Sequence, residues 1–213
     1  MIKIFTTIFL GILLSGIWFG LRMVLELLSN ATKIEFISRF STVFATIVPT
    51  MIIVRYSNLE LWNVKNILNW QSWIIILITV VVTALIVSIN KSSAMPSGME
   101  LLWYALDGVM MEFPQRMMMQ SFVHALLEMW EIDTYFSVLI TAIVWCVSIC
   151  IQCVIMKQKF NKCVGYELLS SFVFSIGVGV VLIRTEFIVF TMVAHFIERI
   201  ISTWIRRKRY TVA

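Results

Sequence analysis

Apolar runs of about twenty residues or more, parted by short polar stretches, leave this chain few folds. A bilayer core about 30 Å thick takes about 20 helical residues to cross. The runs fall at 4–27, 36–54, 70–89, 100–130, 134–156, 164–184 and 186–204, about seven in all. Hydrocarbon offers no hydrogen-bond partner, so each run must satisfy its own backbone as helix. A β-barrel would alternate polar and apolar positions in short segments, and these runs are continuous. The expected class is all-α: a polytopic transmembrane helix bundle of about seven spans, forming a single integral membrane domain over 1–213.

Charge placement orients the bundle. Only 14% of the residues are charged, against about a quarter in a soluble domain. The net charge of +5 lies largely in short loops and in Arg206, Arg207, Lys208 and Arg209, which reads as cytoplasmic anchoring, not as a nucleic-acid surface. With seven spans, Lys33, Arg39, Lys91, Lys157, Lys159, Lys162 and the basic tail 205–213 share the cytoplasmic side. The N-terminus and the acidic loop 128–133 then lie outside, together with Arg55 and Lys65. The expected location is integral to a membrane, with the C-terminus in the cytoplasm. No small-x-small cleavage site follows the first run, so it reads as a retained helix. The stretch 90–98 is the most turn-like and divides the first three helices (1–99) from the last four (100–204).

The fourth run is longer than one span and holds polar residues at every fourth position: Glu112, Arg116, Gln120, His124 and Glu128. On a helix these occupy one broad side. Glu112 and Arg116 stand one turn apart. Ionisable groups at bilayer depth are costly, and normally face a protein interior or a polar cavity where work is done. The plainer reading is a buried network that glues helices together. Pro114 cannot donate to the carbonyl of Met110, which should leave that oxygen free in a tilted or kinked helix. His195 lies mid-span in the last run at a depth like that of Glu112, with Glu198 and Arg199 beside it.

Two further features read mainly as packing. Cys146, Cys150 and Cys153 lie on one helical face, where thiolates can bind a soft metal but small side chains more simply allow close approach. Gly16 and Gly20 form a small-xxx-small pair, a contact face within the protein or with a partner.

A Glu-x-x-x-Arg in a mid-chain membrane helix, then a hairpin, then a membrane helix with a central His, resembles the CAAX-protease and bacteriocin-processing (Abi) family of intramembrane proteases. The resemblance covers about 100–204, a protease-like core in the last four helices, with 1–99 as a variable part. The family's first motif, Glu-Glu-x-x-x-Arg, stands here as Met111, Glu112, Phe113, Pro114, Gln115, Arg116. Its second, Phe-x-x-x-His, finds Trp145 to Cys150 with no His, and Cys150 is a candidate stand-in. Its third, His then Asn or Asp four later, finds His195 and Arg199.

The resemblance implies an endopeptidase in which Glu112 activates water, Arg116 orients Glu112, and His195 binds the oxyanion or a divalent metal such as zinc. Glu112 and His195 are two ligands, fewer than the four of a structural zinc site. The implied substrate or partner is a peptide or membrane-protein segment. The alternative is an inactive member of the same fold, serving as a bacteriocin-immunity or regulatory membrane protein. A transporter subunit would show broken helices or matched halves, and neither is evident. The oligomeric state is left open.

Overall fold

Each apolar run becomes helix. The computed structural model describes residues 1–67, 69–89 and 96–210. Its elements are α1 (Ile2–Thr32), α2 (Glu35–Arg39), α3 (Ser41–Ile53), a 3-10 turn (Val64–Asn66), α4 (Trp70–Ile89) and α5 (Met99–Glu112). A π-helical segment (Phe113–Gln120), α6 (Ser121–Met129), α7 (Phe136–Ile155), α8 (Lys162–Thr185) and α9 (Val189–Tyr210) complete them. Four helices, α1, α4, α7 and α8, are long and apolar enough to cross a membrane, and α3 is a shorter apolar helix. The second run is divided at Phe40, where α2 ends and α3 begins. Most of the stretch 90–98 lies outside the described residues. The basic tail is helical through Tyr210, as the last turns of α9.

Contacts between chain ends set the helix directions. At one end, Lys3 Nζ donates to the Trp130 carbonyl, Asn58 Nδ2 to Glu128 Oε1 (2.6 Å), and Arg184 to Gln71 Oε1. At the other, the Arg39 guanidinium lies 4.1 Å from the Trp103 ring and Arg209 donates to the Ser88 carbonyl. Successive long helices therefore alternate up and down. The second, basic end gathers the C-termini of α4, α7 and α9 with the N-termini of α5 and α8. The α8–α9 link is the tight hairpin expected around Arg184, Thr185 and Glu186. Glu186 takes the left-handed conformation (φ 53°), and its side chain accepts from Asn63 Nδ2 (2.9 Å).

Two apolar clusters set the frame. Trp18, Met118, Met119, Val144 and Trp145 join α1, the π segment and α7. Ile76, Val80, Phe174, Val178 and Ala194 join α4, α8 and α9. The outer faces stay apolar: Phe5, Phe9, Leu77, Ile78 and Val154 are exposed. That suits a surface solvated by lipid, which is as apolar as the core. Met118 and Met119 are wholly buried core residues. Gly16 and Gly20 meet nothing within 4 Å, so they form no contact face inside this chain.

Candidate functional site

The site starts at Pro114. Its ring removes one backbone donor and disfavours α geometry at Phe113. The helix responds by widening: 113–120 is π-helical, and the Ser121 N–H reaches the carbonyl of Arg116, five residues back. The Met110 carbonyl is not left free, contrary to the expectation for a proline kink; it accepts from the Phe113 N–H. Short π segments occur often at functional sites. Within this segment Arg116 bonds both Glu112, one turn before it, and Gln120, one turn after it.

All three of those side chains are fully buried and joined. Arg116 Nε lies 3.4 Å from Glu112 Oε2. Its Nη1 donates to Gln120 Oε1 (2.8 Å), and its Nη2 donates to both the carbonyl and the hydroxyl of Ser175 (3.1 Å each). Gln120 Nε2 donates to the Gly179 carbonyl (3.1 Å). A Cβ at Gly179 would sit 3.1 Å from Arg116 Nη1, so glycine there lets α8 approach the guanidinium. The positive charge of Arg116 thus sits beside the carboxylate and is hydrogen-bonded to two elements. Those are the conditions under which a buried pair is tolerable.

The remaining carboxylate oxygen reaches across 83 residues. Glu112 Oε1 lies 2.6 Å from His195 Nδ1. An ionised carboxylate only accepts, so Nδ1 carries a proton in this contact, and in the neutral ring Nε2 is then the acceptor. Among the described residues Nε2 has no partner. The ring is held by Phe174, whose centroid is 4.5 Å away, and by Gly108, where a Cβ would come within 2.8 Å of His195 Cδ2.

His195 also lines a cavity of about 840 Å³. The cavity runs toward the basic end, past Glu198 and Arg199, to Val87, Glu100 and Arg206 near helix ends. Met111 and Gln115 form part of its wall, whereas Glu112 does not. Glu112 is thus placed behind His195, with both oxygens engaged. The residue that faces the cavity from this turn is Met111.

The sequence pointed to Glu112, Arg116 and His195, and the structure brings these three together. It leaves other candidates apart. His124 lies further along the helix, with Nδ1 buried and without a partner among the described residues. Glu128 holds Asn58 at the end of the bundle opposite the basic one. Cys146 and Cys150 line an apolar crevice with Leu168 and Val154, so Cys150 does not stand in for a histidine beside His195. The wall position on α7 belongs to Trp145 and Ile149.

A zinc ion does not fit the donor set. The lone pairs of Glu112 are directed at His195 and at a guanidinium, and among the described residues no group of three or more His, Cys, Asp or Glu is arranged to hold a metal. Gly108, Phe174, Ser175 and Gly179 were not legible in the sequence, because a glycine, phenylalanine or serine in an apolar run carries no sign of which side chain it will meet. Comparison with family models, with curated proteins and with solved structures gives no match to this chain.

Proposed function

We propose that this chain is an intramembrane endopeptidase of the CAAX-protease type. It crosses the bacterial cytoplasmic membrane about seven times, with the basic end and C-terminus in the cytoplasm. It acts on a peptide or membrane-protein segment admitted to the cavity. The observation that carries this reading is the 2.6 Å contact of Glu112 Oε1 with His195 Nδ1, which leaves Nε2 of a cavity-lining histidine as a free acceptor.

The geometry supports a different division of labour from the one the resemblance implies. His195 Nε2 takes a proton from water as the oxygen attacks the scissile carbonyl, and returns it to the leaving nitrogen. Glu112 fixes the tautomer and stabilises the imidazolium, as a buried carboxylate does in a hydrolytic triad. Arg116 holds Glu112 in place. No step passes through a metal.

A second reading, a non-catalytic immunity or regulatory protein on the same frame, is favoured by one feature. Met111 faces the cavity where the family would keep its first glutamate. His195→Ala and Glu112→Gln separate the two. Loss of cleavage at unchanged membrane abundance supports the endopeptidase. Retained cleavage by His195→Ala removes the dyad from the mechanism. Loss of abundance alone leaves a structural network.

A further inference from the structure

The cavity wall holds charged groups with atoms that have no hydrogen-bond partner among the described residues. Glu198 is 4% exposed and Arg206 5% exposed, yet Glu198 Oε1 and Arg206 Nε have no hydrogen-bond partner among the described residues. Arg199 Nε, between them, is likewise unpartnered. Its guanidinium rests 4.5 Å from the Tyr104 ring, and it comes no nearer than 4.0 Å to Glu198 Oε2. Across the cavity, Thr83 Oγ1 is also buried without a partner. The long Glu198–Arg199 ion pair leaves Glu198 Oε1 and Arg199 Nε unbonded, and a buried charged group with incomplete hydrogen bonding is costly. Here the costs are gathered on one wall, because His195, Glu198, Arg199 and Arg206 fall on one side of α9.

Both kinds of group are left open: an acceptor at Glu198 and donors at Arg199 and Arg206. An apolar lipid chain answers neither. A simple anion answers only the arginines, and it would meet Glu100, Glu167 and Glu198 as well, three carboxylates against two guanidiniums in the cavity wall. A peptide main chain answers both, since each residue brings an N–H and a C=O.

Backbone chemistry selects the form of that chain. A helix has already used its backbone groups internally, whereas an extended chain leaves its N–H and C=O groups open to the wall. His195 and Arg206 are eleven residues apart on α9, about 16 Å at 1.5 Å per residue, a length that about five extended residues cover.

We infer that the cavity binds about five residues of extended peptide along α9, entering from the basic end, with main-chain N–H groups accepted by Glu198 and main-chain carbonyls bound by Arg199 and Arg206. The substrate of the proposed reaction is then an unwound peptide, not an intact membrane helix entering from the side. This inference rests on the cavity being the substrate site, and not on His195 being catalytic.

The test uses the full chain in nanodiscs and acetyl-pentaalanine amide, which offers main-chain groups and no terminal charge. Binding is read by thermal protection. It is read independently by protection of a Ser171→Cys variant from maleimide, Ser171 being part of the cavity wall. The peptide is expected to protect both the wild type and His195→Ala, and to bind about tenfold more weakly to Glu198→Gln and to Arg206→Gln, the factor that 1.4 kcal/mol carries. Arg206→Lys, which keeps a donor, is expected to retain part of the binding. Absence of protection by the peptide, unchanged binding to both charge variants, or protection by dodecylphosphocholine alone overturns the inference. Binding that persists while wild type shows no cleavage leaves it standing and overturns only the proposed catalysis.

Discussion

Glu112→Gln is the most informative single change, because the structure predicts an asymmetry around it. The substitution keeps shape and removes charge. It leaves Arg116, a fully buried guanidinium, with Gln120 Oε1 and the Ser175 oxygens but no counter-charge. Arginine cannot shed its proton, so the charge stays. Removing one partner of a buried pair in this way costs about 3–5 kcal/mol. The reverse change, Arg116→Gln, leaves Glu112 with its contact to His195 Nδ1, and a carboxyl group, unlike a guanidinium, has a neutral form available. Its cost is nearer that of the three hydrogen bonds to Gln120 and Ser175, about 0.6 kcal/mol each in membrane helices and about 2 kcal/mol together. Glu112→Gln with Arg116→Gln together removes both charges and recovers much of the loss of the first. At about 2–4 °C per kcal/mol for a chain of this size, Glu112→Gln lowers the unfolding temperature in detergent by roughly 6–20 °C. Arg116→Gln lowers it by only a few degrees. Equal losses for the two single variants, or additive losses in the double variant, would refute the counter-charge argument.

Other changes test the frame around this pair. Gly108→Ala forces a methyl into His195 Cδ2 and Arg199 Cγ. It should cost about 1–3 kcal/mol of stability and, by displacing the histidine, lower cleavage by about 100-fold, read as kcat at matched abundance. Gly177→Ala places its Cβ against Thr79 at the α4–α8 crossing. It should lower the unfolding temperature, and Thr79→Ala in the same chain should restore part of the loss. Gln120→Leu removes the second bond to the Gly179 carbonyl and strands one Arg116 donor, a loss of about 1–3 kcal/mol measured by the same unfolding assay. Treatment with a chelator should change neither unfolding temperature nor cleavage, since the donor set around Glu112 and His195 does not suit a metal; a fall in either that zinc restores would contradict this.

The helical class and the ends of most helices were legible in the chain because bilayer physics is strict. A long apolar run has one way to satisfy its backbone, so runs at 70–89 and 134–156 correspond to α4 and α7 within two residues. The Glu112–Arg116 pair was legible for a similar reason, since neighbours one turn apart meet whatever surrounds them. The response to Pro114 was not. A proline marks a disturbance but does not say whether the helix kinks or widens, and the choice of a π segment depends on what packs against it.

The rotation of each helix about its axis was hidden for a further physical reason. In a soluble helix the apolar stripe names the inner face. Here the outer face is apolar too, so α4 and α7 carry little periodic signal, and the sequence alone could not say that Met111 faces the cavity while Glu112 faces away from it. Nor could it show that Ser175 and Gly179, ordinary residues of α8, complete the arginine's bonding. By itself the sequence determined a helical membrane bundle and a short-range ion pair, because those follow from solvent and from helix geometry. Only the tertiary structure decided that His195 meets Glu112 at 2.6 Å and stands between it and the cavity, because that meeting depends on how helices 83 residues apart rotate and pack.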